Sequence, residues 1–150
     1  MTSCLELNHH AHKVGVNVHH LEWCTKYRHK LLRQEKYKSL CEDSIRKVAA
    51  RHGIGIRELG VQPEHVHVSA ELPPSMSQSK ALQLLKGGSS YLIRKEQPKF
   101  KIALQYSFWS SGGYAGSVGS NTIDAVDDYV RQQETVAMSY TKPSAGSPAL

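Results

Sequence analysis

The sequence lacks the features that mark membrane-spanning, secreted or disulfide-stabilised proteins. No apolar run approaches the roughly 18 residues of a membrane-spanning helix, and residues 1–12 lack the apolar core of a secretory signal. The three cysteines, Cys4, Cys24 and Cys41, are odd in number and show no CxxC spacing, which argues against a disulfide framework or a cysteine zinc site. We therefore expect a cytoplasmic protein with reduced thiols and no membrane contact.

Acidic residues are outnumbered, with 13 Asp and Glu against 19 Lys and Arg, which gives a formal charge of +6. This balance weakly favours a polyanionic partner such as nucleic acid. A length of 150 residues suits one domain, which we place at residues 14–135. The polar, histidine-rich residues 1–13 and the small, polar residues 136–150 are predicted to be disordered tails.

Hydrophobic periodicity predicts an α+β fold. Residue alternation indicates four strands, at residues 14–27, 54–61, 65–72 and 112–118. Helical spacing indicates three helices, at residues 33–52, 77–94 and 122–135. The order β-α-β-β-α-β with a C-terminal helix is the ferredoxin-like plan, whose antiparallel sheet leaves one face for helices and the other for a ligand.

Several local features accompany this prediction. Gly53 is expected just after the first helix, and Ser75 is expected to cap the second. We expect the pair Gly87-Gly88 to weaken or kink that second helix. The first strand is predicted with a possible irregularity near His19-His20.

The third predicted strand contains the triplet His65-Val66-His67. Side chains two apart in a strand share a face, so the histidines are expected side by side with Val66 turned into the core. Two imidazoles suit a divalent transition metal, and an added oxygen ligand would admit Mg²⁺ or Mn²⁺. The triplet alone is weak, since nine histidines give roughly half an instance by chance. A pair of half-exposed strand histidines remains the alternative, and we interpret a second triplet, His10-Ala11-His12, as incidental.

The last predicted helix carries Tyr129 and Gln133, which are four residues apart and therefore share a face. Its other residues are mostly polar, which favours a mobile or domain-bridging element over a core helix. A core or interface tyrosine is the alternative. Two imidazoles, one amide oxygen and one phenol would together form a metal-assisted site for attack on a phosphodiester.

Five ordered segments carry a family resemblance, which covers roughly residues 14 to 135. They are Trp23–Arg28, Val61–His67, Leu85–Ser90, Trp109 to Gly119, and Tyr129 with Gln133. Together they resemble the small single-tyrosine transposases with an HUH metal motif, in which U is a hydrophobic residue. The chain departs from the usual family pattern at Glu64, where Asp is commoner, and at Gly88, where a helix former is more typical.

The resemblance implies a transposase that cleaves and rejoins single-stranded DNA at insertion-sequence ends. It assigns Tyr129 as the nucleophile, which forms a 5′-phosphotyrosine and releases a 3′-hydroxyl, and His65, His67 and Gln133 as ligands of Mg²⁺ or Mn²⁺. A covalent tyrosyl ester conserves the phosphodiester energy, so no nucleotide cofactor is expected. The family acts as a homodimer in which one subunit's tyrosine helix completes the other's site; the sequence leaves open whether that holds here.

The partner implied is single-stranded DNA with hairpin ends. Basic residues would contact its backbone, and Tyr27 or Tyr91 is available for base stacking. The candidate basic residues are Lys26, Arg28, Lys30, Arg33, Lys80, Lys86, Arg94 and Lys95.

Other functions remain open from the sequence. A domesticated HUH nuclease or nickase could process DNA hairpins with the same residues, although replication initiators and relaxases are usually longer. A non-catalytic ferredoxin-like module could bind nucleic acid on its sheet. Such a module would have no need of Tyr129 and would leave the set of His65, His67 and Gln133 unexplained.

Overall fold

A computed structural model describes the backbone of residues 8–10, 13–15, 17–100, 107–118 and 127–135, with side chains from residue 17 onward. In these ranges, no helix has both the length and the apolar character needed to cross a membrane. Two short strands, β1 (Asn8–His10) and β2 (Lys13–Gly15), form an antiparallel hairpin. Part of the predicted N-terminal tail therefore takes up strand structure, while the domain limits at residues 14 and 135 stay a prediction.

The main sheet has four strands in the order β4-β5-β3-β6, and every neighbouring pair is antiparallel. Its strands are β3 (Val18–Cys24), β4 (Gly55–Val61), β5 (His65–Glu71) and β6 (Tyr114–Val118). Two helices, α1 (Glu35–Arg51) and α2 (Gln78–Glu96), connect β3 to β4 and β5 to β6. The predicted ferredoxin-like α+β plan is confirmed.

The third predicted helix is described only in part. Residues 127–135 are helical and are called the tyrosine helix below, while residues 122–126 of the prediction lie outside the described residues. A short 3-10 turn, Lys26–Arg28, follows β3 and begins an irregular loop that leads to α1.

The predicted cap of α2 is corrected, and the glycine predicted after α1 is confirmed. Ser77, not Ser75, caps α2 by accepting a hydrogen bond from the Lys80 amide at 3.1 Å. Ser75 instead lies in a turn closed by the Met76 amide and the Pro73 carbonyl, so it is two residues too early to cap. Gly53 follows α1 with φ +68°, a conformation that favours glycine at the end of a helix.

The irregularity predicted near His19-His20 is wrong. β3 keeps regular register with both of its neighbours. The register shift lies in β4, between Ile56 and Glu58, so Arg57 is the extra residue. A bulge of this kind bends a strand and re-aims its side chains, and here it accompanies the contact of Arg57 with the tyrosine helix described below.

The core lies between the sheet and the two long helices. Alternate residues of β3 and β5 point into it, including Leu21, Trp23, Val66 and Val68, and all are almost fully buried. The alternation places His20, Glu22, His65 and His67 on the opposite face of the same strands. The core-facing residues thereby fix where the candidate site residues point.

The glycine pair of α2 does not interrupt the helix, which corrects the expected kink. A Cβ added to Gly88 would stand 2.6 Å from Cγ2 of Val48 on α1, whereas nothing lies within 4 Å of one added to Gly87. Gly88 therefore allows α1 and α2 to pack closely, and only Gly87 carries the helix-weakening cost of glycine without a packing reason.

This difference predicts opposite effects for two adjacent substitutions. Gly88→Ala should lower the free energy of unfolding by about 1–3 kcal/mol, because the new methyl overpacks against Val48. Gly87→Ala should raise it by up to about 1 kcal/mol through helix propensity alone. Urea unfolding followed by circular dichroism measures both, and equal effects of the two substitutions would contradict the packing role of Gly88.

Candidate active site

The two strand histidines lie next to each other on the face of β5 that is turned away from the core. Their ring centroids are 4.7 Å apart, as expected for residues two apart in a strand. His67 is only 3% exposed, so the pair is not the half-exposed one of the alternative hypothesis. β5 lies between β3 and β4, so both rings are anchored to the centre of the sheet.

A carboxylate lies beside the Nδ1 atom of each ring. The Nδ1 atom of His65 lies 2.9 Å from Oε1 of Glu64, and Nδ1 of His67 lies 3.5 Å from Oε2 of Glu22. When Nδ1–H of a neutral imidazole donates to a carboxylate, the lone pair on Nε2 is free to bind a metal. Such carboxylate–histidine pairs commonly support metal ligands, so the donor set fits a divalent ion.

Burial keeps His67 uncharged. It lowers the pKa of His67 to about 4, against the opposing effect of the Glu22 carboxylate and with help from the neighbouring rings of His65 and His20. Burial likewise lowers the pKa of His20. At neutral pH both imidazoles are therefore neutral, which is the form that binds metals.

The tyrosine helix lies over this same face of the sheet. The Tyr129 ring makes edge contacts with His67 and with His20, with centroid distances of 5.9 and 6.2 Å. Its side chain is nevertheless 47% exposed, so a ligand can approach it from solvent. The structure thus brings the predicted nucleophile to the predicted histidines of its own chain.

A buried carboxylate fixes the start of the described helix. Asp127, 8% exposed, accepts a hydrogen bond from the buried Ser69 of β5 and pairs with Arg57 of β4, with Nε and Oδ2 3.0 Å apart. Val130 on the same helix is 1% exposed. Because a buried carboxylate is costly unless it is well paired, these contacts specify one position of the helix on the sheet.

Further polar contacts hold the other end of the helix. Oε2 of Glu134 accepts from the Val61 amide at 3.1 Å, and Oε1 pairs with Lys38 of α1 at 2.6 Å. Nε2 of Gln62 donates to the Gln133 carbonyl at 2.8 Å. Gln133 is half-buried and lies one turn after Tyr129. The third predicted ligand therefore belongs to a segment that is docked next to the histidine strand.

Four of the predicted DNA-binding residues lie in the loop after β3. Lys26 is half-buried, and Arg28, Lys30 and Arg33 are exposed. The loop is joined to the connection before His65, because the amides of Thr25 and Leu32 donate to the carbonyls of Glu64 and Pro63. A basic loop thus borders the first histidine of the candidate site, and contact of its residues with DNA stays a prediction.

Lys86 is engaged within the protein. Its ammonium donates to the Ser110 carbonyl at 2.8 Å and to the Gly112 carbonyl. These hydrogen bonds connect α2 to the segment before β6. Ser89 of α2 makes a further hydrogen bond to the same segment, since its hydroxyl accepts from Nε1 of Trp109 at 3.0 Å. The glycine- and serine-rich motif of α2 therefore joins structural elements, and contact of Lys86 with DNA stays a prediction.

The remaining predicted basic residues lie on the outer surface of α2. Arg94 and Lys95, with Gly87, Ser90 and Tyr91, line an open groove of about 500 Å³. Tyr91 is among the most exposed large side chains. Lys80 is exposed in the first turn of the same helix. The groove combines positive charge with an exposed aromatic ring, and DNA contact by Arg94 and Lys95 stays a prediction.

Two residues of the site were missed by sequence reasoning. His20 and Glu22 of β3 share the face of His67, and Nε2 of His20 lies 3.3 Å from Nδ1 of His67. Their signal was the alternation of β3, whose apolar Leu21 and Trp23 leave His20 and Glu22 on the other face. Recognising them required knowing that β3 and β5 are neighbours, which the strand patterns alone do not state.

Comparison with known families decides the identity. The family model described as IS200-like transposase, Y1_Tnp, matches residues 14–133, which is most of the chain. This chain is an IS200-like transposase. The matched residues include His65 and His67 of β5, all of α2, and both Tyr129 and Gln133 of the tyrosine helix.

Two individual relatives support the same family assignment. The transposase for insertion sequence element IS200 of Salmonella typhimurium is 30% identical over 135 residues, 87% of this chain and 87% of that protein. The ISDra2 transposase TnpA of Deinococcus radiodurans is 30% identical over 116 residues, 77% of this chain and 82% of that protein. IS200-like transposases therefore align with this transposase over most of its length.

Solved structures share the fold. A crystal structure of a candidate transposase from Deinococcus radiodurans superposes with a TM-score of 0.68 at 26% identity, covering 85% of this chain and 98% of that one. A REP-associated tyrosine transposase bound to a REP hairpin superposes with a TM-score of 0.54 at 17% identity, covering 88% and 74%. The second similarity concerns the fold alone.

Proposed function

We propose that this transposase cleaves and rejoins single-stranded DNA at insertion-sequence ends through a covalent 5′-phosphotyrosine on Tyr129. The observation that carries the proposal is the position of the Tyr129 ring, 5.9 Å from the ring of His67 and open to solvent. In the reaction the phenolic oxygen forms a bond to phosphorus while the bond from phosphorus to the 3′-oxygen breaks. The departing 3′-oxygen takes up a proton and becomes a hydroxyl, and the reverse reaction joins strands without a nucleotide cofactor.

His65, His67 and Gln133 are the proposed ligands of Mg²⁺ or Mn²⁺. Such an ion, when bound, polarises a phosphate oxygen and lowers the barrier to attack. The chain's own part is to keep the His67 imidazole neutral and to place a carboxylate beside the Nδ1 atom of each ring. Oε1 of Glu64 is within hydrogen-bond distance of Nδ1 of His65, Oε2 of Glu22 lies 3.5 Å from Nδ1 of His67, and burial lowers the pKa of His67 to about 4.

We further propose that Tyr129 serves the histidines of its own chain. Asp127 and Glu134 tie the tyrosine helix to β4, β5 and α1 of that chain, and Gln62 binds the carbonyl of Gln133. These contacts support a site completed within one chain. The homodimer that the family implies remains part of the proposal, with each subunit carrying a complete site.

The proposed DNA substrate is a single strand with hairpin ends. The basic loop after β3 supports a nucleic-acid partner, because its charges border the candidate site and would neutralise phosphates. A hairpin is proposed in particular because a protein of the same fold is described as bound to one. Binding through this loop should weaken as salt increases, since bound counterions are released from the DNA.

The decisive experiment is incubation of the protein with end-labelled single strands that carry the ends of its own element. We expect a labelled band that survives SDS, forms with Mg²⁺ or Mn²⁺ and is absent in EDTA. The label should be retained only when it lies on the 3′ side of the cut, since tyrosine holds the 5′-phosphate. Binding without any adduct on these ends and on chromosomal hairpins would favour the non-catalytic module. An adduct on the chromosomal hairpins alone would favour the domesticated nuclease.

A further inference from the structure

Three potential metal ligands meet at the boundary between β3 and β5. Glu22 stands directly opposite His67 in the antiparallel register, and His20 lies two residues before Glu22 on the same face. The Nε2 atom of His20 is 3.3 Å from Nδ1 of His67, which is 3.5 Å from Oε2 of Glu22. One donor atom from each residue lies within 4.8 Å of the other two.

These separations suit a tetrahedral ion. A metal bound at 2.0–2.1 Å in tetrahedral geometry sets its ligand atoms about 3.3–3.4 Å apart. Two of the three separations already fall near that value, so small movements of the side chains suffice. The three residues come from paired strands of the main sheet, which gives the cluster a rigid frame that does not depend on the tyrosine helix.

The chemistry of the cluster selects the ion. Two imidazoles and one carboxylate are a common ligand set for Zn²⁺ with one position left open, and they suit Co²⁺ as well. Mg²⁺ prefers sites made up of oxygen ligands, so we expect the cluster to favour Zn²⁺ and Co²⁺ over Mg²⁺. Its oxygen ligand is a carboxylate, whereas the oxygen ligand of the proposed set of His65, His67 and Gln133 is an amide.

We propose that His20, Glu22 and His67 form a second metal site that binds Zn²⁺-like transition ions within a single chain. The two sites share His67, and a neutral imidazole offers only one lone pair. In the second site the lone pair lies on Nδ1, whereas the HUH arrangement uses Nε2. Occupation of the two sites is thus mutually exclusive. The alternative is that Glu22 and His20 only orient His67 by hydrogen bonding.

A Co²⁺ titration of the full chain in the His65→Ala background isolates this site, because that substitution breaks the HUH pair. We expect one Co²⁺ per chain with the strong visible absorption of a tetrahedral complex, and displacement of Co²⁺ by Zn²⁺. Adding His20→Ala or Glu22→Gln should weaken binding by at least about tenfold. Adding His29→Ala, which changes an exposed histidine outside the cluster, should leave it unaltered. Circular dichroism verifies folding of each variant.

Absence of a tetrahedral Co²⁺ spectrum in the His65→Ala protein would overturn the proposal. A spectrum that persists in both added variants would overturn it as well, and would assign the ion to other histidines such as His9, His10 and His12. This outcome is separate from that of the adduct assay. Co²⁺ binding as expected, with no DNA adduct in the wild-type protein, would keep the second site and reject the proposed cleavage.

Discussion

Tyr129→Phe is expected to abolish the covalent protein–DNA adduct and to reduce strand cleavage by roughly 10⁴-fold or more, as loss of a nucleophile does in other covalent enzymes. The substitution removes one hydroxyl from a half-exposed ring and keeps the edge contacts with His20 and His67. Affinity for single-stranded DNA should stay within about twofold of wild type, because substitutions of this kind change free energies by at most ~0.5 kcal/mol. A denaturing gel measures the adduct, and fluorescence anisotropy measures binding.

Tyr114 supplies the matched control, since it is also exposed and its ring lies 5.8 Å from that of His20. Tyr114→Phe should form the adduct at nearly the wild-type rate. An adduct that persists in Tyr129→Phe and disappears in Tyr114→Phe would assign the role of nucleophile to Tyr114 instead. Loss in both variants would show that the ring environment matters beyond the hydroxyl, and would weaken the assignment to Tyr129.

The sequence was sufficient for the parts of the structure that depend on local patterns. Apolar residues alternate along β3 and β5 and recur at helical spacing in α1 and α2, because those residues face the core. Each of these patterns can be recognised within one continuous stretch of the sequence. The ferredoxin-like plan followed from the order of elements along the chain. The relation of His65 to His67 needed only the two-residue period of a strand.

Features that depend on contacts between distant segments could not be obtained this way. Gly88 was expected to weaken or kink α2, because nothing in the neighbouring sequence shows that Val48 of α1 packs against it. Lys86 was a candidate for DNA contact, and nothing in the neighbouring sequence shows that it donates to the carbonyls of Ser110 and Gly112. In each case the partner is dozens of residues away and lies on another element.

The polar residues of the tyrosine helix show the same limit. The sequence suggested a mobile or bridging helix, because few of its residues are apolar. In the structure Asp127 and Glu134 are docked against Ser69, Arg57 and Lys38. Charged residues can therefore fix a helix on a sheet when their partners are supplied by other strands, and hydrophobic periodicity does not detect this.

The second large effect on cleavage is expected from substitution of the buried His67. His67→Ala is expected to reduce metal-dependent cleavage by roughly 10³-fold or more, because an ion that polarises the phosphate contributes several kcal/mol to the transition state. His65→Ala should show a loss of similar size, while His52→Ala, which changes the C-cap of α1, should not. Cleavage rates in Mn²⁺ provide the measurement. Because His67 is 3% exposed, His67→Gln is the second variant if truncation impairs folding.

The same variant also tests whether Tyr129 acts with the histidines of its own chain or with those of the partner subunit. His67→Ala keeps Tyr129, and Tyr129→Phe keeps His67, so a mixture of the two contains every group but never in one chain. If the tyrosine helix stays docked on its own chain through Asp127 and Glu134, the mixture should remain inactive. Recovery of adduct in the mixture, with the label on His67→Ala chains, would show that the helix is exchanged between subunits. Activity of His67→Ala by itself would instead remove that histidine from the proposed metal site.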